Sequence, residues 1–145
     1  MGVNPPQWQN VKMALLLGQS HTSICEIKHS IETENLEIFA DPLLEMVCQR
    51  LFENSVKHGE HVTRIHVWHT TTPEGARLFF EDDGIGIPQM QKEEIFLRSE
   101  FTCASGNSLI FVREIPDITG ITIHENGEPG KGARFEIVVP KGMYR

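Results

Sequence analysis

Between Asp41 and Gly59 the chain carries one long run of helical periodicity, while the segments around it alternate with a period of two. Leu44, Val47, Leu51 and Ser55 fall on one face of that helix, with Leu43 and Met46 beside them. Asp41 offers a capping carboxylate, Pro42 follows at the first helical position, and Gly59 is the stop. A helix with a single apolar stripe has to lay that stripe on another layer, and the flanking segments supply strands for it.

Cys25, Ile27, His29 and Ile31 alternate with Glu26, Lys28, Ser30 and Glu32, which predicts a half-buried strand, and Leu36, Ile38 and Ala40 make a shorter one. Arg64–Thr70 and Arg77–Asp82 flank a turn at Thr72-Pro73-Glu74-Gly75. Ile121–His124 and Arg134–Val139 are strands joined by Gly127–Gly132. Trp8, Val11, Leu15 and Met13 predict a short helix after Pro5-Pro6. Asp82–Pro88 reads as a glycine-rich turn, Gln89–Phe96 as a short helix and Phe101–Ser108 as a loop. Leu109–Thr119 has helical spacing that Pro116 should kink or end. Runs of neighbouring strands without a regular βαβ repeat predict an α+β fold. It is a two-layer sandwich of a mixed, mostly antiparallel sheet with helices on one face and the site between the layers.

At 145 residues the chain suits one domain with a core that needs no disulfide or metal. A net charge of −7 argues against general nucleic-acid binding. The three cysteines, Cys25, Cys48 and Cys103, include no C-x-x-C and read as free thiols in a reducing compartment. Met13–Leu17 is too short an apolar run to span a bilayer, and Met1–Pro6 lacks the features of a signal peptide. The expectation is a soluble, cytoplasmic domain without direct membrane contact, any membrane part of a longer protein lying outside it. The seven histidines show no consistent ligand spacing, so no histidine metal site is predicted.

Three segments carry residues suited to chemistry. Asn54 and Lys57 lie three apart near the end of the long helix and can reach one ligand; an amide oxygen suits magnesium and an ammonium suits phosphate. Polar residues at a helix end can equally be plain solvated groups. Asp82-Asp83-Gly84-Ile85-Gly86-Ile87-Pro88 follows a strand directly. Its glycines let the backbone approach a ligand, and a carboxylate leaving a strand can accept a hydrogen bond from an exocyclic amine such as that of adenine. The same residues also build ordinary tight turns. Ser105-Gly106-Asn107-Ser108-Leu109 opens a helix, where free N–H groups favour phosphates, or it is a simple helix start.

Taken together and in this order, the three segments resemble the catalytic ATP-binding domain of sensor histidine kinases, in the superfamily shared with DNA gyrase B, Hsp90 and MutL. The resemblance runs from about Trp8 to Pro140. Ala40-Asp41-Pro42-Leu43-Leu44 looks like the start of the family's N-box helix, and Asn54, Lys57 and His58 match the N box itself. Asp82, Gly84, Gly86, Ile87 and Pro88 match the first glycine box. Ile95-Phe96 looks like the phenylalanine box, and Gly106 and Leu109 match the second glycine box, with Arg113-Glu114-Ile115 continuing its helix. Gly130, Gly132 and Phe135 resemble the closing turn and last strand.

The resemblance implies the Bergerat-type fold with ATP and magnesium as ligands. Asn54 would hold the metal, Lys57 would contact phosphate, and His58 would lie beside the nucleotide. Asp82 would bind the adenine amine, Gly84 and Gly86 would shape the adenine side with Ile87 next to them, and Gly106 would belong to a lid with Leu109 following it. It also implies phosphoryl transfer to a histidine on a separate domain and, through it, a response regulator as downstream partner. The isolated domain would be a monomer.

The chain departs from that pattern in four ways. Arg50 stands one turn before Asn54, where the family carries Asn, Glu or His, and a guanidinium is no general base at neutral pH. Ser108 replaces the second glycine of the second glycine box, and Pro116 interrupts the following helix. No histidine fits a phosphoacceptor, so the chain is expected to need an acceptor domain elsewhere. A stand-alone anti-sigma-factor-like serine kinase of this fold, and a degenerate nucleotide-binding module, are the other outcomes consistent with these residues.

Overall fold

A computed structural model describes residues 5–20, 28–33, 35–58, 62–92 and 120–145, with the side chains of His29, Lys57, His58 and Gln91 also outside the description. The elements in chain order are β1 (Gln7–Asn10), α1 (Val11–Ser20), β2 (Lys28–Glu32), β3 (Glu37–Ala40), α2 (Leu44–His58), β4 (Arg64–Thr72), β5 (Gly75–Asp82), β6 (Thr122–Glu125) and β7 (Arg134–Pro140). Five strands form one sheet in the order β2-β4-β5-β7-β6, parallel only between β2 and β4. The predicted α+β sandwich with a mixed, mostly antiparallel sheet is therefore the architecture found.

The long helix is where its pattern places it. Leu44, Val47, Cys48, Leu51, Phe52 and Ser55 are buried, a stripe repeating at three and four residues. Asp41 caps it: the Leu43 N–H donates to Asp41 Oδ1 at 2.8 Å, and the Leu44 N–H donates to the Asp41 carbonyl at 3.0 Å. Pro42 and Leu43 form a turn ahead of the helix, which begins two residues later than the proline suggested. The stripe meets the alternating buried residues of the sheet: Ile65 and Val67 on β4, Leu78 and Phe80 on β5, and Phe135, Ile137 and Val139 on β7. Phe52 stands edge-on against Phe80, ring centroids 4.9 Å apart and 77° between planes.

Cys48 is a free, buried thiol; burial, then the nearby charge of Glu45, pushes its pKa up to about 12. At pH 7 it is an inert core group. Cys25 and Cys103 lie outside the described residues.

The N-terminal segment is a correction. Trp8 belongs to strand β1, not to a helix, and the helix starts at Val11 with Asn10 as its cap, whose Oδ1 accepts the Met13 N–H at 2.9 Å. Val11, Ala14, Leu15 and Gly18 are the buried face, and Met13 is 57% exposed. A Cβ at Gly18 would lie 2.7 Å from Gln49 N and 2.9 Å from Cys48 Cβ, so glycine sets how closely α1 packs on α2.

Strand β3 pairs antiparallel with β1, outside the main sheet. On its other edge the C-terminal residues close in: Glu37 and Arg145 exchange both backbone hydrogen bonds at 2.9 Å, and the Arg145 guanidinium lies 4.3 Å from the Trp8 ring centroid. Strands β4 and β5 are longer than their patterns implied and meet at Pro73-Glu74. After the glycine turn a single 3-10 turn covers Gln89–Gln91; the rest of the predicted Gln89–Phe96 helix, the 101–108 loop and the 109–119 helix lie outside the described residues.

Candidate nucleotide site

Strand β5 is flanked on both sides by hydrogen-bonded neighbours and ends on Asp82. Alternation fixes its direction: Ala76, Leu78 and Phe80 face α2, so Asp82 does too, and it is 3% exposed. A buried carboxylate has to be hydrogen-bonded. Asp82 Oδ1 accepts the Gly84 N–H at 2.9 Å and the Ala133 N–H at 3.2 Å, and Oδ2 accepts the Ser55 hydroxyl at 2.7 Å. The carboxylate is thus held from its own turn, from the loop before β7, and from α2. Its backbone N–H donates to the Ala133 carbonyl at 2.9 Å.

Two glycine loops meet at this point. Gly86 has φ of 77°, and a Cβ there would lie 2.9 Å from the Gly132 carbonyl and 3.1 Å from the Glu128 carbonyl. Gly132 has φ of 131°, and a Cβ there would overlap the Asp82 carbonyl. A side chain at either position would both strain the backbone and push the loops apart. The Gly130 N–H donates to the Ile85 carbonyl at 2.7 Å and joins the two loops directly. Gly84 is buried, and Ile87 is half-buried against the core. The base of the second loop is fixed by Glu125, whose side chain is fully buried. It accepts the Gly127 and Arg134 N–H groups at 3.0 Å each and pairs with Lys92. Lys92 also donates to the Gly127 carbonyl at 2.9 Å, linking the residue after the 3-10 turn to this loop.

Asp83, next in the chain, is used differently. It is exposed and accepts the Thr63 N–H at 2.8 Å, the Arg64 N–H at 3.0 Å and the Thr63 hydroxyl. Partial burial pushes its carboxyl up, but the hydrogen bonds from the Thr63 hydroxyl and the Arg64 and Thr63 amides outweigh this, and its pKa is held below the ordinary value. Asp83 ties the start of β4 to the end of β5.

On α2, Asn54 is half-buried and immediately precedes Ser55. Lys57 and His58 form the last turn of that helix, and the positions of their side chains lie outside the described residues. Arg50, one turn before Asn54, is solvent-exposed and pairs with Glu53 at 3.5 Å. Gly106 and Leu109 lie outside the described residues. The structure therefore brings Asp82, Gly84, Gly86 and Ile87 together, with Asn54 on the adjoining helix. Ser55 was missed as a site residue: periodicity put it on the buried face, and only the fold shows that its hydroxyl reaches Asp82. Among the described residues no group of three or more His, Cys, Asp or Glu side chains could hold a metal ion, and no helix is long and apolar enough to cross a membrane.

Residues 40–143 match the histidine kinase-, DNA gyrase B-, and HSP90-like ATPase family. The chain belongs to that family. Its ATP-binding domain is of the sensor histidine kinase type. Over 126 residues it is 32% identical to the adaptive-response sensory kinase SasA of Parasynechococcus marenigrum, a match covering 79% of this chain and 32% of that protein. The fold of the ATP binding domain of PrrB from Mycobacterium tuberculosis superposes with a TM-score of 0.75 at 19% identity, covering 94% of this chain and 98% of that one. Histidine kinase ThkA, solved in complex with response regulator protein TrrA, superposes at 0.72 with 23% identity, covering 94% of this chain and 42% of that one. This ATPase domain spans about a third or less of the length of the curated relatives it matches.

Proposed function

We propose that residues 1–145 form one cytoplasmic catalytic domain of a sensor kinase that binds Mg-ATP between α2 and the sheet and presents its γ-phosphoryl group to a histidine on a separate domain of the same or a partner protein. Asp82 carries this assignment. It is a buried carboxylate that meets three donors among the described residues, and Oδ2 then offers a further acceptor position to the exocyclic amine of adenine. Gly84 and Gly86 let the backbone turn close beside the base, with Ile87 as apolar wall. Asn54, half-buried on α2 beside Ser55, would meet the phosphate end. Lys57 would neutralise phosphate charge, and His58, Gly106 and Leu109 keep the nucleotide-binding roles that the family resemblance implies.

Magnesium fits the donor chemistry of this helix. Asn54 offers one amide oxygen, and magnesium takes one or two protein ligands with phosphate oxygens and water. Bound there, the ion would neutralise charge on the phosphates; the chain's own part is to orient the nucleotide, since phosphoryl transfer depends on positioning more than on covalent help. The recipient histidine, the response regulator it serves and the monomeric state of this domain belong to the same proposal. ThkA, solved with its response regulator, supports that partner class.

Calorimetric titration tests the assignment. Mg-ATP should bind the 145-residue chain in the micromolar range, about 8 kcal/mol of free energy at 1 μM. Mg-GTP should bind at least about a hundredfold more weakly, because guanine turns a carbonyl toward the Asp82 carboxylate. Equal binding of the two, or no binding by the folded chain, would overturn it.

A further inference from the structure

We propose that Ser55 is a positioning residue that sets base selectivity through Asp82, an inference that rests on the nucleotide site described above. A carboxylate has about four acceptor positions. Gly84 and Ala133 fill those on Oδ1 with backbone N–H groups at 2.9 and 3.2 Å, and Ser55 takes one on Oδ2 at 2.7 Å. The Ser55 hydroxyl donates to Oδ2, so its proton is committed there. Among the described residues no further donor meets Asp82 Oδ2, whose remaining lone pair is left to accept from a ligand.

That acceptor suits a primary amine on a purine ring, which has hydrogens to give, and it repels a ring carbonyl at the same place. For Ser55 to turn its proton toward such a carbonyl it would have to abandon Asp82, leaving a buried carboxylate oxygen without its donor. The hydroxyl therefore fixes the orientation in which the carboxylate meets an amine.

The geometry around Ser55 makes this a fixed contact. Ser55 is fully buried, and one turn earlier on α2 Phe52 packs edge-on against Phe80, two residues before Asp82 on β5. Helix and strand are in register at both places. Among the described residues Oδ1 is held by Gly84 and Ala133 on the sheet side of the site, and Ser55 ties the carboxylate to the helix that carries Asn54.

The test compares ATP with purine riboside 5′-triphosphate, which lacks only the amine, by calorimetry on the 145-residue chain. Wild type should prefer ATP by about tenfold or more, the range of one hydrogen bond to a charged group. Ser55→Ala should weaken ATP about tenfold and the analogue less than about twofold, and Ser55→Thr should restore ATP to within about twofold of wild type. A role in packing alone would weaken both ligands alike, and that result overturns the proposal, as does an unchanged preference in Ser55→Ala. If Ser55→Ala does not fold, the preference of Ser55→Cys decides: a weak thiol donor should reduce it, and a preference equal to wild type counts against Ser55. Wild type that binds neither ligand would defeat the nucleotide site itself, whereas a wild-type preference that no Ser55 variant disturbs would defeat only this assignment.

Discussion

Phe79 and Phe80 are neighbours on β5, as Asp82 and Asp83 are at its end, yet within each pair the two side chains meet different surroundings. Phe80 and Asp82 point toward α2, fully or almost fully buried. Phe79 stacks on Trp68 on the outer face, ring centroids 5.1 Å apart and 17° between planes, and His66 also stacks on Trp68 at 4.6 Å. Asp83 faces solvent and clamps Thr63 and Arg64. The inner face carries the core and then, at the strand end, the buried carboxylate that the proposed function assigns to the nucleotide. The outer face carries cross-strand pairs that contribute to the sheet alone. Residue type does not separate these roles; the two-residue period of the strand does.

Truncating the phenylalanines gives the largest contrast. Phe80→Ala removes the ring that α2 packs against and should cost about 3–5 kcal/mol. Phe79→Ala loses one stacked cross-strand pair and should cost about 1 kcal/mol. Urea unfolding measures both. Equal costs would mean that the outer face is also covered and would break the distinction.

A smaller effect separates the carboxylates by pH. The folded-state pKa of Asp83 is lowered, so its contribution is present above the ordinary value near 3.8 and is lost as pH falls through the folded value. Asp83→Asn should cost about 0.5–1 kcal/mol at pH 7, a modest figure because the group is exposed. The gap to wild type should narrow as pH drops below about 4. Urea unfolding at several pH values checks this. A gap that stays constant down to acid pH would mean that the Thr63 and Arg64 contacts do not depend on the charge.

Much of the inner face was legible in the sequence because one regular period produces it. The stripe from Leu44 to Ser55, the cap at Asp41, and the alternation of β4, β5 and β7 all follow local patterns. Asp82, Gly84 and Gly86 were legible as a turn, and they pointed to a nucleotide only in combination with the segments around Asn54 and Gly106. Strand β1 was not, because Gln7-Trp8-Gln9-Asn10 has no alternation of its own and pairs with β3 far along the chain. Ser55 was legible as buried but not as polar in function, since its partner Asp82 is brought to it only by packing α2 on the sheet. Gly132 was recognisable as part of a closing turn, while the reason for glycine there, the Asp82 carbonyl against its α-carbon, exists only in the folded state.

The central claim is that Asp82 meets the nucleotide and Asp83 does not. Thermal unfolding of wild type, Asp82→Asn and Asp83→Asn, each with and without Mg-ATP, tests it directly. Nucleotide at a hundred times its Kd adds about 2.7 kcal/mol, which for a domain of this size raises Tm by roughly 5–10 °C. Wild type and Asp83→Asn should both show that rise, and Asp82→Asn should show less than about 2 °C. A full rise in Asp82→Asn, or its loss in Asp83→Asn, would contradict the account.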